Sequence, residues 1–144
     1  MIAVDTNVLL RYLLQDEPAQ EAKARRIIRG SALVLVTDVV LVEALWTLKG
    51  PKYRASKEDL ITVVEGLFRE PSIRFEDAAT VWRALHDYRI AERVKVGGKR
   101  KNADFADALI VNKARFVAQT SSDHLDVVYT FDAAARSIDG TKAP

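Results

Sequence analysis

A chain of 144 residues suits one domain, which at this size buries roughly 70% of its unfolded surface, whereas two half-size domains would each be marginal. Hydrophobic residues at 49% and charged residues at 29% match ordinary globular composition and exclude a disordered chain. The absence of cysteine excludes a disulfide framework, a thiolate zinc site and a cysteine nucleophile, while a net charge of +2 and a pI near 8.9 permit a polyanionic partner without requiring one.

The N-terminus reads Ile2-Ala3-Val4-Asp5, a short apolar strand ending at an acid. It lacks the basic flank and long apolar run of a signal peptide, and no stretch approaches the roughly 20 apolar residues of a membrane span, so the expected location is the cytoplasm. Val8 to Leu14 form a dense apolar helix. Pro18, following Asp16 and Glu17, opens a second helix predicted over 18–29 and stopped by Gly30, with Lys23, Arg25, Arg26 and Arg29 on a basic outer face. Leu33 to Thr37 is an unbroken aliphatic run, the pattern of a strand covered on both faces, and Asp38 is expected to cap a helix reaching about Lys49. Ser56 to Asp59 has the form of a capping box for a helix through Phe68, which Glu70-Pro71 breaks, and 72–75 is a short strand. Asp77 caps a helix in which Val81, Leu85 and Tyr88 share a face, and a Gly97-Gly98 loop carrying Lys95, Lys99, Arg100 and Lys101 follows. Residues 103–117 are predicted helical, 127–131 a strand, and the tail one short helix. The alternation predicts an α/β protein, a three-layer α/β/α sandwich with a mainly parallel sheet of four to five strands, the fifth being the least defined because little chain follows Gly140.

Four carboxylates stand where the pattern does not call for them. Between Val39 and Leu48, Glu43 is the only ionisable residue, and a helical wheel flanks it with Val39 and Trp46 on one side and Val40 and Thr47 on the other. The expectation is a buried acid, compensated by a cation or by an arginine such as Arg11. On the wheel for 103–118, Asp107 lies along Ala103, Ile110, Val111, Ala114 and Ala118, whereas Asp104 falls nearer Arg115. Asp107 is therefore expected to be the buried metal ligand and Asp104 a helix-start residue assisting it. Asp5 and Asp132 each follow an apolar strand, and functional crevices of open α/β sheets lie beyond the carboxyl ends of strands. Each acid alone also reads as a cap or turn residue, but four converging acids would need a counter-ion to coexist.

Other chemistries lack their residues. The Gly97-Gly98-Lys99-Arg100 stretch is not a phosphate-binding loop of the G-x-x-x-x-G-K-[ST] type, no G-x-S-x-G elbow occurs, and His86 and His124 have no second histidine at ligand spacing. A receiver-like domain would need an acceptor aspartate after a central strand and a lysine after the last, and no lysine stands directly after Phe131. The basic residues at 95–101 are either a solvated loop or, if the chain cuts a polyanion, a grip for phosphates.

The opening Val4-Asp5-Thr6-Asn7-Val8, the Glu43 helix, Asp104-Phe105-Ala106-Asp107-Ala108-Leu109-Ile110 and Thr130-Phe131-Asp132 together resemble a PIN-domain ribonuclease of the VapC toxin type over nearly the whole chain. The resemblance implies that Asp5, Glu43, Asp107 and Asp132 hold Mg²⁺ or Mn²⁺ and that the substrate is single-stranded or looped RNA, often tRNA or ribosomal RNA. It implies Thr6, Asn7 and Thr130 as polar supports of the acids, and a homodimer silenced by a cognate antitoxin. A catalytically inactive RNA-binding or scaffold domain on the same fold is the alternative. The polar loop 119–126 is longer than the family's usual glycine turn.

Overall fold

Adjacent parallel strands need a crossover connection, usually helical, that returns the chain to the same end of the sheet. The computed structural model, which describes residues 1–144, divides into two units, Met1–Glu76 and Asp77–Pro144, and follows this rule in the first.

In the first unit, β1 (Ile2–Ala3) leads into α1 (Thr6–Leu14) and α2 (Pro18–Ile28), and β2 (Val34–Val36) into α3 (Asp38–Lys49) and α4 (Lys57–Arg69), before β3 (Ile73–Phe75). The three strands lie in the order β1-β2-β3, all parallel, with Ala3 beside Leu35 and Val36 beside Phe75. Val34 and Val36 of the central strand are fully buried, as the unbroken aliphatic run requires. The core around them draws on Leu9 and Leu10 of α1, Ala24 and Ile28 of α2, Leu41, Ala44, Leu45 and Leu48 of α3, and Leu60, Val64 and Leu67 of α4. Pro18 opens α2 as expected, and the Ser56–Asp59 capping box forms in both directions. The cap of α3 is Thr37 rather than Asp38: the Thr37 hydroxyl accepts from the Val40 N–H at 3.4 Å, because β2 ends one residue earlier and leaves Thr37 in the extended conformation of a cap. The outer face of α2 is less uniformly basic than expected, since Arg25 pairs with Glu21 and Arg29 with Glu70.

In the second unit, α5 (Ala78–Ile90) is capped by Asp77 and packs on α6 (Phe105–Thr120), with Tyr88 meeting Phe105 edge-on at 6.0 Å. Between them the predicted loop is a hairpin, β4 (Val94–Val96) paired antiparallel with β5 (Lys99–Lys101) across Gly97 and Gly98. Both glycines have positive φ, 56° and 80°, the backbone a two-residue hairpin turn needs. Helix α6 runs three residues beyond its predicted end, so part of the expected polar loop 119–126 is helical. Strand β6 (Val128–Tyr129), a 3-10 turn at Ala135–Ser137 and a final strand, β7 (Thr141–Lys142), complete the unit, and β7 pairs in parallel with β6. Gly140, at φ 91°, fits beside Arg115, whose guanidinium binds the Asp139 carboxylate at 3.2 Å and its carbonyl at 3.1 Å. No helix is long and apolar enough to cross a membrane.

Candidate functional site

The carboxyl ends of β1 and β2 point the same way because the strands are parallel, and each is followed within three residues by a helix start. Asp5 caps α1: its Oδ1 accepts the Val8 N–H at 2.9 Å, while Oδ2 accepts no protein hydrogen bond. The next residue, Thr6, donates its hydroxyl to Oε2 of Glu43 at 2.5 Å and so ties the start of α1 to the second turn of α3. Asn7 is exposed on the first turn of α1.

Glu43 is not buried. Helix α3 turns Leu41, Ala44, Leu45 and Leu48 inward and leaves Val39 and Trp46 at 66% and 65% exposure, with Glu43 exposed between them. The wheel located Glu43 among apolar residues correctly, but a helix lying on one side of a sheet buries one stripe, and the apolar residues beside Glu43 fall outside it. Nor does Arg11 compensate it: that guanidinium holds Asp16 at 2.8 Å and lies 3.9 Å from Glu17.

In the second unit, Asp107 is half-buried rather than buried, and Asp104 is the same, so exposure does not separate them. Ile110, on the proposed inner stripe, is 56% exposed. Asp107 Oδ2 accepts the Asp104 N–H at 2.7 Å, one arm of a capping box that starts α6. Arg115 turns away from Asp104 to Asp87 and Asp139. Asp132 is exposed; its Oδ1 accepts the Ala134 N–H at 2.8 Å, and its own N–H donates to the Thr130 hydroxyl at 3.1 Å.

A shared pattern emerges among Asp5, Glu43 and Asp132. Each has one oxygen fixed by a protein donor, none is paired with a cation, and the second oxygen of each accepts no protein hydrogen bond. Acids elsewhere differ: Asp16, Glu21, Glu70, Asp87 and Asp139 are each matched to an arginine. A carboxylate anchored at one oxygen has lost orientational freedom and keeps a lone pair for another ligand. The donor set is entirely oxygen, which suits hard divalent cations such as Mg²⁺ and Mn²⁺, and these keep several waters and need few protein ligands. Neither unit gathers three or more acidic or histidine side chains tightly enough to cage an ion.

The role of the Thr6 hydroxyl toward Glu43 had no sequence signature beyond its place after Asp5. The contact between residues 37 apart is set by the packing of α1 on α3. No curated protein matches the chain. Residues 2–140 match the family model of the PIN domain, generally a nuclease fold that typically uses divalent metal ions. A match spanning all but five residues agrees with the parallel α/β architecture and with acids at the strand ends, and the chain belongs to the PIN domain family.

Proposed function

We propose that the chain is a metal-dependent endoribonuclease of the VapC type, the toxin of a type II toxin-antitoxin pair, which hydrolyses single-stranded or looped RNA such as tRNA or ribosomal RNA. In this reading it works as a single domain and a homodimer in the cytoplasm, and a cognate antitoxin silences it. The observation that carries the reading is the set of anchored, unpaired carboxylates at Asp5, Glu43 and Asp132 within a PIN-family chain.

Asp5, Glu43, Asp107 and Asp132 are the residues assigned to hold Mg²⁺ or Mn²⁺. When bound, the ions neutralise charge on the scissile phosphate and make water acidic enough to attack near neutral pH. The protein's own part is orientation. The Val8 N–H holds Asp5, the Thr6 hydroxyl holds Glu43, the Ala134 N–H and the Thr130 hydroxyl hold the Asp132 segment, and the Asp104 N–H holds Asp107. Asn7, exposed beside Asp5, is assigned with Thr6 and Thr130 as a polar support of the acids. Attack by water leaves a 3′-hydroxyl and a 5′-phosphate, with no part for the ribose 2′-hydroxyl.

The test is cleavage of total RNA by the purified chain with Mg²⁺ or Mn²⁺, followed by end analysis of the fragments. Cleavage is expected to vanish in EDTA and in Asp5→Asn, and to yield 5′-phosphates. A 2′,3′-cyclic phosphate, or full activity in EDTA, would overturn the reading. Growth arrest that persists in Asp5→Asn would assign a non-catalytic RNA-binding or scaffold role instead.

A further inference from the structure

Between Glu92 and Lys101 the chain carries Arg93, Lys95, Lys99, Arg100 and Lys101 against one acid, and the hairpin concentrates four of these cations on two short strands. Lys95, Lys99, Arg100 and Lys101 are exposed, and no acidic side chain pairs with any of them. The register sets Val96 opposite Lys99, Lys95 opposite Arg100 and Val94 opposite Lys101. Lys99 and Lys101 thus share a face with Val96 and Val94, and their aliphatic stems run beside those half-buried valines. Lys95 and Arg100 face each other on the opposite side.

The turn geometry fixes what the backbone offers. With a two-residue turn, Val96 and Lys99 close the ladder, so the next pair, Lys95 and Arg100, does not bond across. Its Cα atoms approach to about 4.5 Å, and its N–H and C=O groups point outward. Like charges at this closest cross-strand position oppose folding of a two-stranded ribbon that is already marginal. Because β5 pairs with β4 alone, its outer edge is open. That edge presents Lys99, Arg100 and Lys101 alternately above and below, with the Arg100 N–H directed out between them. Lys99 and Lys101 stand roughly 7 Å apart, two strand residues, close to the spacing of successive phosphates along one nucleic-acid strand.

We infer that the free edge of β5 is a receptor for the phosphate backbone of a single RNA strand. Its cations and the outward Arg100 N–H bind successive phosphates without reading bases. The inference rests on RNA being the substrate and adds where, and in which strand form, it is held. One strand is favoured over a duplex because Lys99, Arg100 and Lys101 succeed one another along a single open strand edge.

Binding is measured in EDTA, so that cleavage plays no part, with a fluorescein-labelled single-stranded oligouridylate and anisotropy between about 50 and 200 mM salt. Lys99→Thr/Arg100→Thr/Lys101→Thr, in which threonine keeps strand propensity, is expected to flatten the log–log salt slope by about 2 and to weaken binding about hundredfold at about 0.1 M salt. Lys99→Arg/Lys101→Arg should keep the wild-type slope. Arg100→Glu, which places an acid opposite Lys95, should leave the melting temperature unchanged or raised while binding falls. An unchanged slope in the threonine variant, accompanied by its self-association, would overturn the inference and make the charges a guard against edge-to-edge pairing. Tighter binding of a duplex, or equal competition by polyglutamate, would overturn it in favour of a duplex or an acidic protein. A flattened slope in a chain without nuclease activity would leave this inference standing and remove the ribonuclease reading; cleavage with an unchanged slope would do the reverse.

Discussion

Glu43 is the residue whose environment departs most from its pattern, and Thr6 is the reason it is held. The carboxylate leans on a hydroxyl from another helix rather than on a buried cation, so removing that hydroxyl frees the side chain without leaving a charge stranded in the core. On the nuclease reading, Thr6→Val is expected to lower the cleavage rate about 10- to 100-fold with little change in melting temperature, and Thr6→Ser to restore it. Cleavage assays across a Mn²⁺ titration check this: a rate unchanged in Thr6→Val would show that the contact does not orient Glu43. The sequence marked Glu43 as anomalous because it is the only charge in the ten residues Val39–Leu48, yet it misjudged the surroundings. A wheel assigns faces, and only the sheet decides which face is covered. For the same reason Asp104 and Asp107 were told apart on paper by neighbours such as Ile110 that lie in solvent.

Helix starts carry much of the local determinism, and two of them make stability depend on acid. The Ser56 N–H donates to Asp59 and the Thr80 N–H to Asp77, each holding its carboxyl below the ordinary carboxylate range. A depressed folded-state pKa gives stabilisation that is complete above the unfolded value near pH 3.9 and disappears as pH falls through the folded value. Thermal melts at pH 7 and pH 3 are therefore expected to show a smaller acid-induced loss in Asp59→Asn/Asp77→Asn than in the wild-type chain. Equal losses would place the acid sensitivity elsewhere. In the body of α4, a Cβ at Gly66 would meet nothing within 4 Å beyond its chain neighbours and its own helix backbone, so Gly66→Ala should raise stability by about 0.5–1 kcal/mol in denaturant unfolding. The box at Ser56, the Asp77 cap and the proline start of α2 were readable because each is a short-range pattern with a single geometric solution. The β4–β5 hairpin was not, since Lys99-Arg100-Lys101 has no apolar alternation and only the glycine pair, which fits a tight turn, hinted at it. β7, expected only as the least defined strand, was hard to read because two residues of strand leave no periodicity.

Across the chain as a whole, the α/β alternation agrees with a PIN-family match over residues 2–140, and the parallel pairing of β1, β2 and β3 goes with helical crossovers of ample length. The assigned acids are divided evenly, Asp5 and Glu43 in the first unit and Asp107 and Asp132 in the second. Any ion that binds only the folded chain must stabilise it by mass action, about 2.7 kcal/mol at a hundredfold excess over Kd. Mn²⁺ is thus expected to raise the melting temperature of the wild-type chain and to leave that of Asp5→Asn unmoved, and a rise of equal size in both would remove Asp5 from the ligand set. The bare outer stripe of α3 has a practical corollary. Trp46, one helical turn from Glu43 and largely in water, is a built-in optical probe: with Trp82→Phe to silence the second indole, the colour and quenching of its fluorescence register whatever settles on that carboxylate.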